Sequence, residues 1–265
     1  MIRAAKPLCV NGSPIANGRL PVVCTPLVAR TADAILAELA TVMQASPDMI
    51  EWRVDHFGGI ADAAAVVELA RRIEAGANGT PIIFTRRSQR EGGAPTSLAD
   101  AQAIALYEAV CAARCVEFVD WELSNGAASV ARVRAAARAN GVALIASYHN
   151  FRDTPERGVL TEKFAQAARE GADVAKVAVM PNDAGDVLSL LDATWQASRA
   201  LDIPLISMSM GPLGALSRIA GFMYGSALTF AVGAASSAPG QLGIDELRAA
   251  LAVLHRAIGS ERRDD

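Results

Sequence analysis

Ala143-Leu144-Ile145-Ala146-Ser147-Tyr148 and Asp173-Val174-Ala175-Lys176-Val177-Ala178-Val179-Met180 are short apolar runs, and the polar segment 156–170 between them has helical spacing and stops at Gly171. An apolar run, a helix-period segment, a glycine stop and a second apolar run make one strand–helix–strand unit. The alternation continues in both directions. Strands are expected at 21–27, 49–54, 81–85, 115–120, 143–148, 174–179, 204–209 and 227–230. Helices are expected at 32–45, 61–74, 98–112, 127–139, 156–170, 185–200, 214–221 and 244–258. Thr31, Thr154 and Asp245 can cap helix starts, and Gly141 and Gly171 can end helices. Eight such units predict an α/β chain folded as one (β/α)8 TIM barrel domain over residues 1–265. A doubly wound open sheet is the alternative, but no glycine-rich phosphate loop follows the first strand. Asn11-Gly12-Ser13 and Asn17-Gly18 read as turns of an N-terminal hairpin that closes the barrel bottom.

The chain is 52% hydrophobic and 20% charged, with a formal net charge of -3. That composition supports a sizeable core and offers a polyanion no electrostatic footprint, so no nucleic-acid partner is expected. The N-terminus lacks a charged segment followed by a long apolar stretch, and the apolar segment 221–235 is short for a span and broken by Gly, Ser and Thr. A cytoplasmic protein without membrane contact is expected. The four cysteines, Cys9, Cys24, Cys111 and Cys115, form no C-x-x-C pair, and His56, His149 and His255 do not complete a zinc spacing. Reduced thiols, no metal and no cofactor are expected.

Lys176 is one of three lysines, with Lys6 and Lys163, and it stands inside an apolar strand. A buried ammonium must find a partner or lose its proton. The first outcome is an ion pair at a strand end; the second is a nucleophile able to form a Schiff base with a carbonyl. The lysine alone does not choose. In a barrel, chemistry gathers at the C-terminal ends of the strands, and the unusual polar residues fall there. They are Glu51, Arg53 and Asp55 on one face of the second strand, then Arg87 and Glu91 after the third, and Asp120 and Glu122 on the fourth. Ser147 and His149, Lys176, Ser217-Arg218, and Ser236-Ser237 through Gln241 follow. Each has a bland reading. Glu51 and Arg53 can be a structural ion pair, His149 a satisfied imidazole, and Arg218 a cap on a carbonyl or an anion binder. Together they supply a nucleophile, a proton carrier, carboxylates and several guanidinium groups. Guanidinium suits two-pronged binding of carboxylate, so the set suggests a small anionic substrate with a ketone.

In these motifs and in their order, the chain resembles the type I 3-dehydroquinate dehydratase family. Glu51-Trp52-Arg53-Val54-Asp55 is similar to its E-x-R-x-D, and Phe84-Thr85-Arg86-Arg87 through Glu91-Gly92-Gly93 to its F-T-x-R-x(3)-E-G-G. Ser147-Tyr148-His149-Asn150-Phe151 resembles S-x-H-x-F, and Ala172-Asp173-Val174-Ala175-Lys176 resembles the segment with the Schiff-base lysine. Ser209-Met210-Gly211, Ser217-Arg218, the 225–230 segment and Ser237-Ala238-Pro239-Gly240-Gln241 complete the match.

The resemblance implies a lyase that dehydrates 3-dehydroquinate to 3-dehydroshikimate through a Schiff base on Lys176. This is the third step of the shikimate pathway of aromatic amino acid biosynthesis. It makes His149 the base that takes the proton alpha to the imine, and Glu91 the acid that orients it. Glu51, Arg53, Arg87, Arg218, Ser237 and Gln241 become substrate contacts, with Arg218 for the carboxylate. It further implies a homodimer and no metal. Two departures stand out. Trp52 replaces an aliphatic residue and should point away from the barrel interior. Pro26 aligns with a serine that binds substrate in some members, which leaves Thr25 as the hydroxyl at that strand end. A class I aldolase and an inactive barrel that binds a sugar acid are the competing readings.

Overall fold

The computed structural model describes residues 5–260 except 16–19, 97, 234 and 236, and except the side chains of 259 and 260. A small antiparallel hairpin, β1 (Cys9–Val10) and β2 (Ser13–Pro14), comes first, turning at Asn11-Gly12. The second expected turn, Asn17-Gly18, lies outside the described residues.

The barrel wall is parallel throughout. Its strands are β3 (Val22–Leu27), β4 (Met49–Arg53), β5 (Ile82–Thr85), β6 (Phe118–Glu122), β7 (Ala143–Asn150), β8 (Val174–Val179), β9 (Leu205–Ser209) and β10 (Leu228–Val232). Neighbours in sequence pair in that order, and β10 pairs back onto β3. The ring closes between β9 and β10, where Leu205 bridges Ser226 and the Ala227 N–H donates to the Leu205 carbonyl at 2.7 Å. A short β11 (Leu242–Gly243) pairs in parallel with the end of β10. The outer helices are α1 (Ala32–Gln44), α2 (Ala63–Gly76), α3 (Asp100–Ala113), α4 (Ala127–Ala139), α5 (Arg157–Arg169), α6 (Ala184–Ala200), α7 (Ala215–Ala220) and α8 (Ile244–Ser260).

The expected signals mostly hold. Thr31 caps α1 by accepting from the Ala34 N–H, and Gly141 and Gly171 take the left-handed conformation after α4 and α5. Two expected caps fail. The Thr154 hydroxyl donates to the Met180 carbonyl, at the end of β8, and Asp245 lies inside the first turn of α8. The fourth strand begins at Phe118 rather than 115, because Arg114 ends α3 in the left-handed conformation and Cys115 and Val116 pack into the layer between sheet and helices.

Side chains alternate across each strand, so inward positions form layers. The lowest inward layer is Val22, Met49, Ile83, Phe118, Ile145, Val174, Ile206 and Leu228, all in one apolar cluster. Leu8, 1% exposed, joins that cluster from the hairpin, with Val10 and Ile15 packed beside it. The hairpin therefore plugs the barrel bottom. Two residues higher stand Cys24, Glu51, Thr85, Asp120, Ser147, Lys176, Met208 and Phe230. The layer turns polar on β4 to β8 and stays apolar on β9, β10 and β3. Outward residues fill the belt under the helices. There Trp52, Phe84, Tyr107 and Trp121 stack edge to face, so Trp52 points away from the interior as expected.

Candidate active site

The polar layer meets at Lys176. Its ammonium is 4% exposed and donates to Asp120 Oδ2 at 2.8 Å, with Glu51 Oε1 at 3.5 Å. The Phe230 ring covers it at 4.8 Å from Nζ to centroid. The ion-pair reading of Lys176 is thus realised in the resting protein. Glu51 also accepts from the Thr85 hydroxyl at 2.9 Å. Asp120 is fully buried, and its Oδ1 accepts from Ser147 Oγ at 2.6 Å and Arg87 Nη2 at 2.8 Å. Burial pushes its carboxyl up, but Arg87 and Lys176 outweigh that and hold it well below the usual carboxylate range.

One layer higher, Arg87 and His149 face each other across β5 to β7. Arg87 pairs with Asp120, with Glu122 Oε1 at 3.2 Å and, more loosely, with Glu91 at 3.9 Å. Burial disfavours its charge, but Asp120, Glu122 and Glu91 raise its pKa above the ordinary arginine value. Glu91 sits where Gly93 turns the chain back against the Arg87 carbonyl, a spot with no room for a Cβ. Its Oε2 accepts from both the His149 backbone N–H at 3.0 Å and the ring Nδ1 at 2.9 Å, and its Oε1 from Ser124 Oγ at 2.6 Å. An oxygen already accepting one N–H favours the tautomer with the proton on Nδ1, which leaves Nε2 as the acceptor. Burial, with Arg87 and Lys176 nearby, pushes the His149 pKa well below the usual imidazole value. Its resting form is a neutral base. Burial raises Glu91 to about 7 against the pull of Arg87.

The rim is made by arginines and the segment after β10. Arg53 pairs with Asp55, not with Glu51, in a two-pronged contact at 2.8 Å for both bonds. Its Nη1 donates to the Ser237 carbonyl at 3.3 Å. Gln241 folds back, accepting from the Ser237 N–H at 3.0 Å and donating to Ser237 Oγ at 3.1 Å. Arg218, 2% exposed, donates through Nη2 to the Pro239 carbonyl at 3.0 Å. Its Nε is buried without a hydrogen-bond partner, and among the described residues no carboxylate pairs with it. Burial alone lowers its pKa to about 10. Of its two sequence readings, the structure shows the cap on a carbonyl.

Eight of the nine expected residues line one cavity: Glu51, Arg53, Arg87, Glu91, His149, Lys176, Ser237 and Gln241. Arg218 stands behind its wall, against Met208. Ser236 lies outside the described residues.

The model of the type I 3-dehydroquinase family matches residues 23–258. A 3-dehydroquinate dehydratase of Albidiferax ferrireducens is 52% identical over 258 residues, covering 97% of this chain and 98% of that protein. The chain belongs to the type I 3-dehydroquinase family. Solved relatives superpose closely. The crystal structure of 3-dehydroquinate dehydratase from Geobacillus kaustophilus is 44% identical at a TM-score of 0.93, covering 97% of this chain and 99% of that one. The type I 3-dehydroquinate dehydratase of Clostridium difficile, in a crystal structure with covalent modified comenic acid, is 33% identical at 0.90, covering 96% and 99%.

Within this family frame, the residue that sequence reasoning left without a role is Asp120, which touches Lys176, Arg87 and Ser147. Its signal was the two-residue spacing from Phe118, which puts both on the inner face. Phe230, Met208 and Met210 were likewise missed as cavity wall. Thr25 does not reach the cavity. It sits on the outer face of β3, with its methyl beside Val42 and Gly233.

Proposed function

We propose that this protein, as one barrel domain in the cytoplasm, dehydrates 3-dehydroquinate to 3-dehydroshikimate through an imine on Lys176. The observation that carries the reading is the pairing of a buried amine and a neutral imidazole on the wall of one cavity. Lys176 gives up its ammonium proton to His149 and attacks the ring ketone to form a carbinolamine, which takes that proton back on its hydroxyl and loses water to leave the protonated imine. That cation acidifies the adjacent C–H. His149 Nε2 takes the proton, and the electron pair moves into the ring as an enamine. The enamine expels the tertiary hydroxyl, which leaves as water with the proton that His149 returns. Water then hydrolyses the imine and frees the amine.

Asp120 and Glu51 hold negative charge beside Nζ, where the ammonium and later the iminium carry their positive charge. Arg218, a buried cation with no carboxylate partner among the described residues, is the seat for the substrate carboxylate. Arg53, Arg87, Ser237 and Gln241 contact the remainder. The Clostridium difficile relative with covalent modified comenic acid supports a nucleophile in this fold. No described helix is long and apolar enough to cross a membrane. The homodimer forms through α6 and the segments after β9, where Leu188, Trp195, Leu213 and Leu216 are exposed.

Purified protein mixed with 3-dehydroquinate should generate enone absorbance catalytically. Fragmentation to smaller carbonyl products would establish an aldolase, and binding without turnover an inactive barrel.

A further inference from the structure

Asp55 does not line the cavity, yet the segments that follow β4 and β5 meet on it. Its side chain is completely buried, and its two oxygens take four donors. Arg53 Nε and the Arg87 backbone N–H donate to Oδ1 at 2.8 and 3.2 Å. Arg53 Nη2 and the Ala94 backbone N–H donate to Oδ2 at 2.8 and 2.9 Å. Arg53 contributes a whole edge of its guanidinium, so its plane is set. The remaining nitrogen, Nη1, points to the Ser237 carbonyl. The two backbone donors belong to the segment that carries Arg87 and Glu91.

We propose that Asp55 is a positioning residue, which fixes the Arg53 guanidinium so that its free edge holds the 237–241 segment over the cavity and faces the substrate. The inference rests on the function proposed above. An arginine side chain has many rotamers, and two-pronged pairing with a carboxylate selects one of them. A residue that acts through Arg53 affects how substrate is held more than how the imine reacts, because Lys176 and His149 have their own partners.

The test is Asp55→Asn, which keeps the shape but turns one acceptor into a donor facing Arg53 Nη2 and the Ala94 N–H. The KM for 3-dehydroquinate should rise about tenfold or more, with kcat within about threefold of the parent. Borohydride trapping on Lys176 at saturating substrate should persist, and amide exchange across 237–241 should accelerate. In an Arg53→Gln background the same change should add less than about twofold to KM. A KM within about twofold of the parent, with unchanged exchange, overturns the proposal. So does an equally large KM rise in the Arg53→Gln background. If Asp55→Asn does not fold, Asp55→Glu takes its place. It keeps the charge but misplaces the fork, and a parental KM in that variant overturns the proposal. If the parent protein does not turn over 3-dehydroquinate, the functional reading fails instead. The exchange comparison on unliganded protein still decides the role of Asp55.

Discussion

Two arginines, both buried, are solvated in opposite ways by the protein. Arg87, on the charged side of the barrel, meets Asp120, Glu122 and Glu91 and donates to Ser147. Arg218, behind the apolar side formed by Met208 and Phe230, has a carbonyl, a thioether and an unpartnered Nε. The acids raise the pKa of the first, while burial lowers that of the second to about 10. The difference assigns their work. The charge of Arg87 is taken up within the protein, where it holds three carboxylates in place. The charge of Arg218 has no carboxylate partner among the described residues, which suits the role proposed for it with the substrate carboxylate.

The largest expected effect is on the charged side. Arg87→Met leaves Glu122 and Glu91 buried without their cation and Asp120 with Lys176 alone, and should cost about 3–5 kcal/mol of folding stability in urea unfolding. A loss below about 1 kcal/mol would erase the contrast between the two arginines. Arg218→Met removes a charge that has no ion-pair partner. Stability should stay within about 1 kcal/mol of the parent, while kcat/KM falls about 10²-fold, roughly 2.7 kcal/mol. If Arg218→Met destabilises the fold as much as Arg87→Met does, Arg218 is a structural residue.

The smallest effect concerns Glu91, which joins Arg87 to the imidazole. Its pKa is raised to about 7, so it loses its charge as pH falls through that value. The protonated form accepts the Nδ1–H of His149 more weakly and can instead donate to the ring, which loosens the hold on the tautomer of the base. The kcat/KM should therefore decline on the acid side of about 7, by about tenfold at pH 6. His149 titrates well below its ordinary value and does not set this limb. Glu91→Gln should lower the plateau and move the acid limb to lower pH. A limb unmoved by that change would give the titration to another group.

Much of this contrast was legible before the structure. Two-residue alternation put Glu51 with Arg53 and Ser147 with His149 on one face, and the glycine stops set the strand–helix rhythm. What was hidden was partnership. Arg53 chose Asp55 rather than Glu51 because the chain turns into a 3-10 helix directly after β4 and folds Asp55 under the guanidinium. Asp120 reaches Lys176 from two strands away, a contact set by barrel curvature and the register of β6, β7 and β8 rather than by spacing along the chain. Arg218 was singled out from its Ser217-Arg218 motif, but its place behind the cavity wall depends on the short α7 packing behind β9.

The central claim is that Lys176, though ion-paired at rest, becomes the covalent partner of the substrate. Borohydride reduction during turnover of 3-dehydroquinate, followed by peptide mass mapping, tests it directly. The account predicts one substrate-derived adduct on Lys176 and loss of activity in proportion to labelling. Turnover that survives reduction, with Lys176 unmodified, would contradict it.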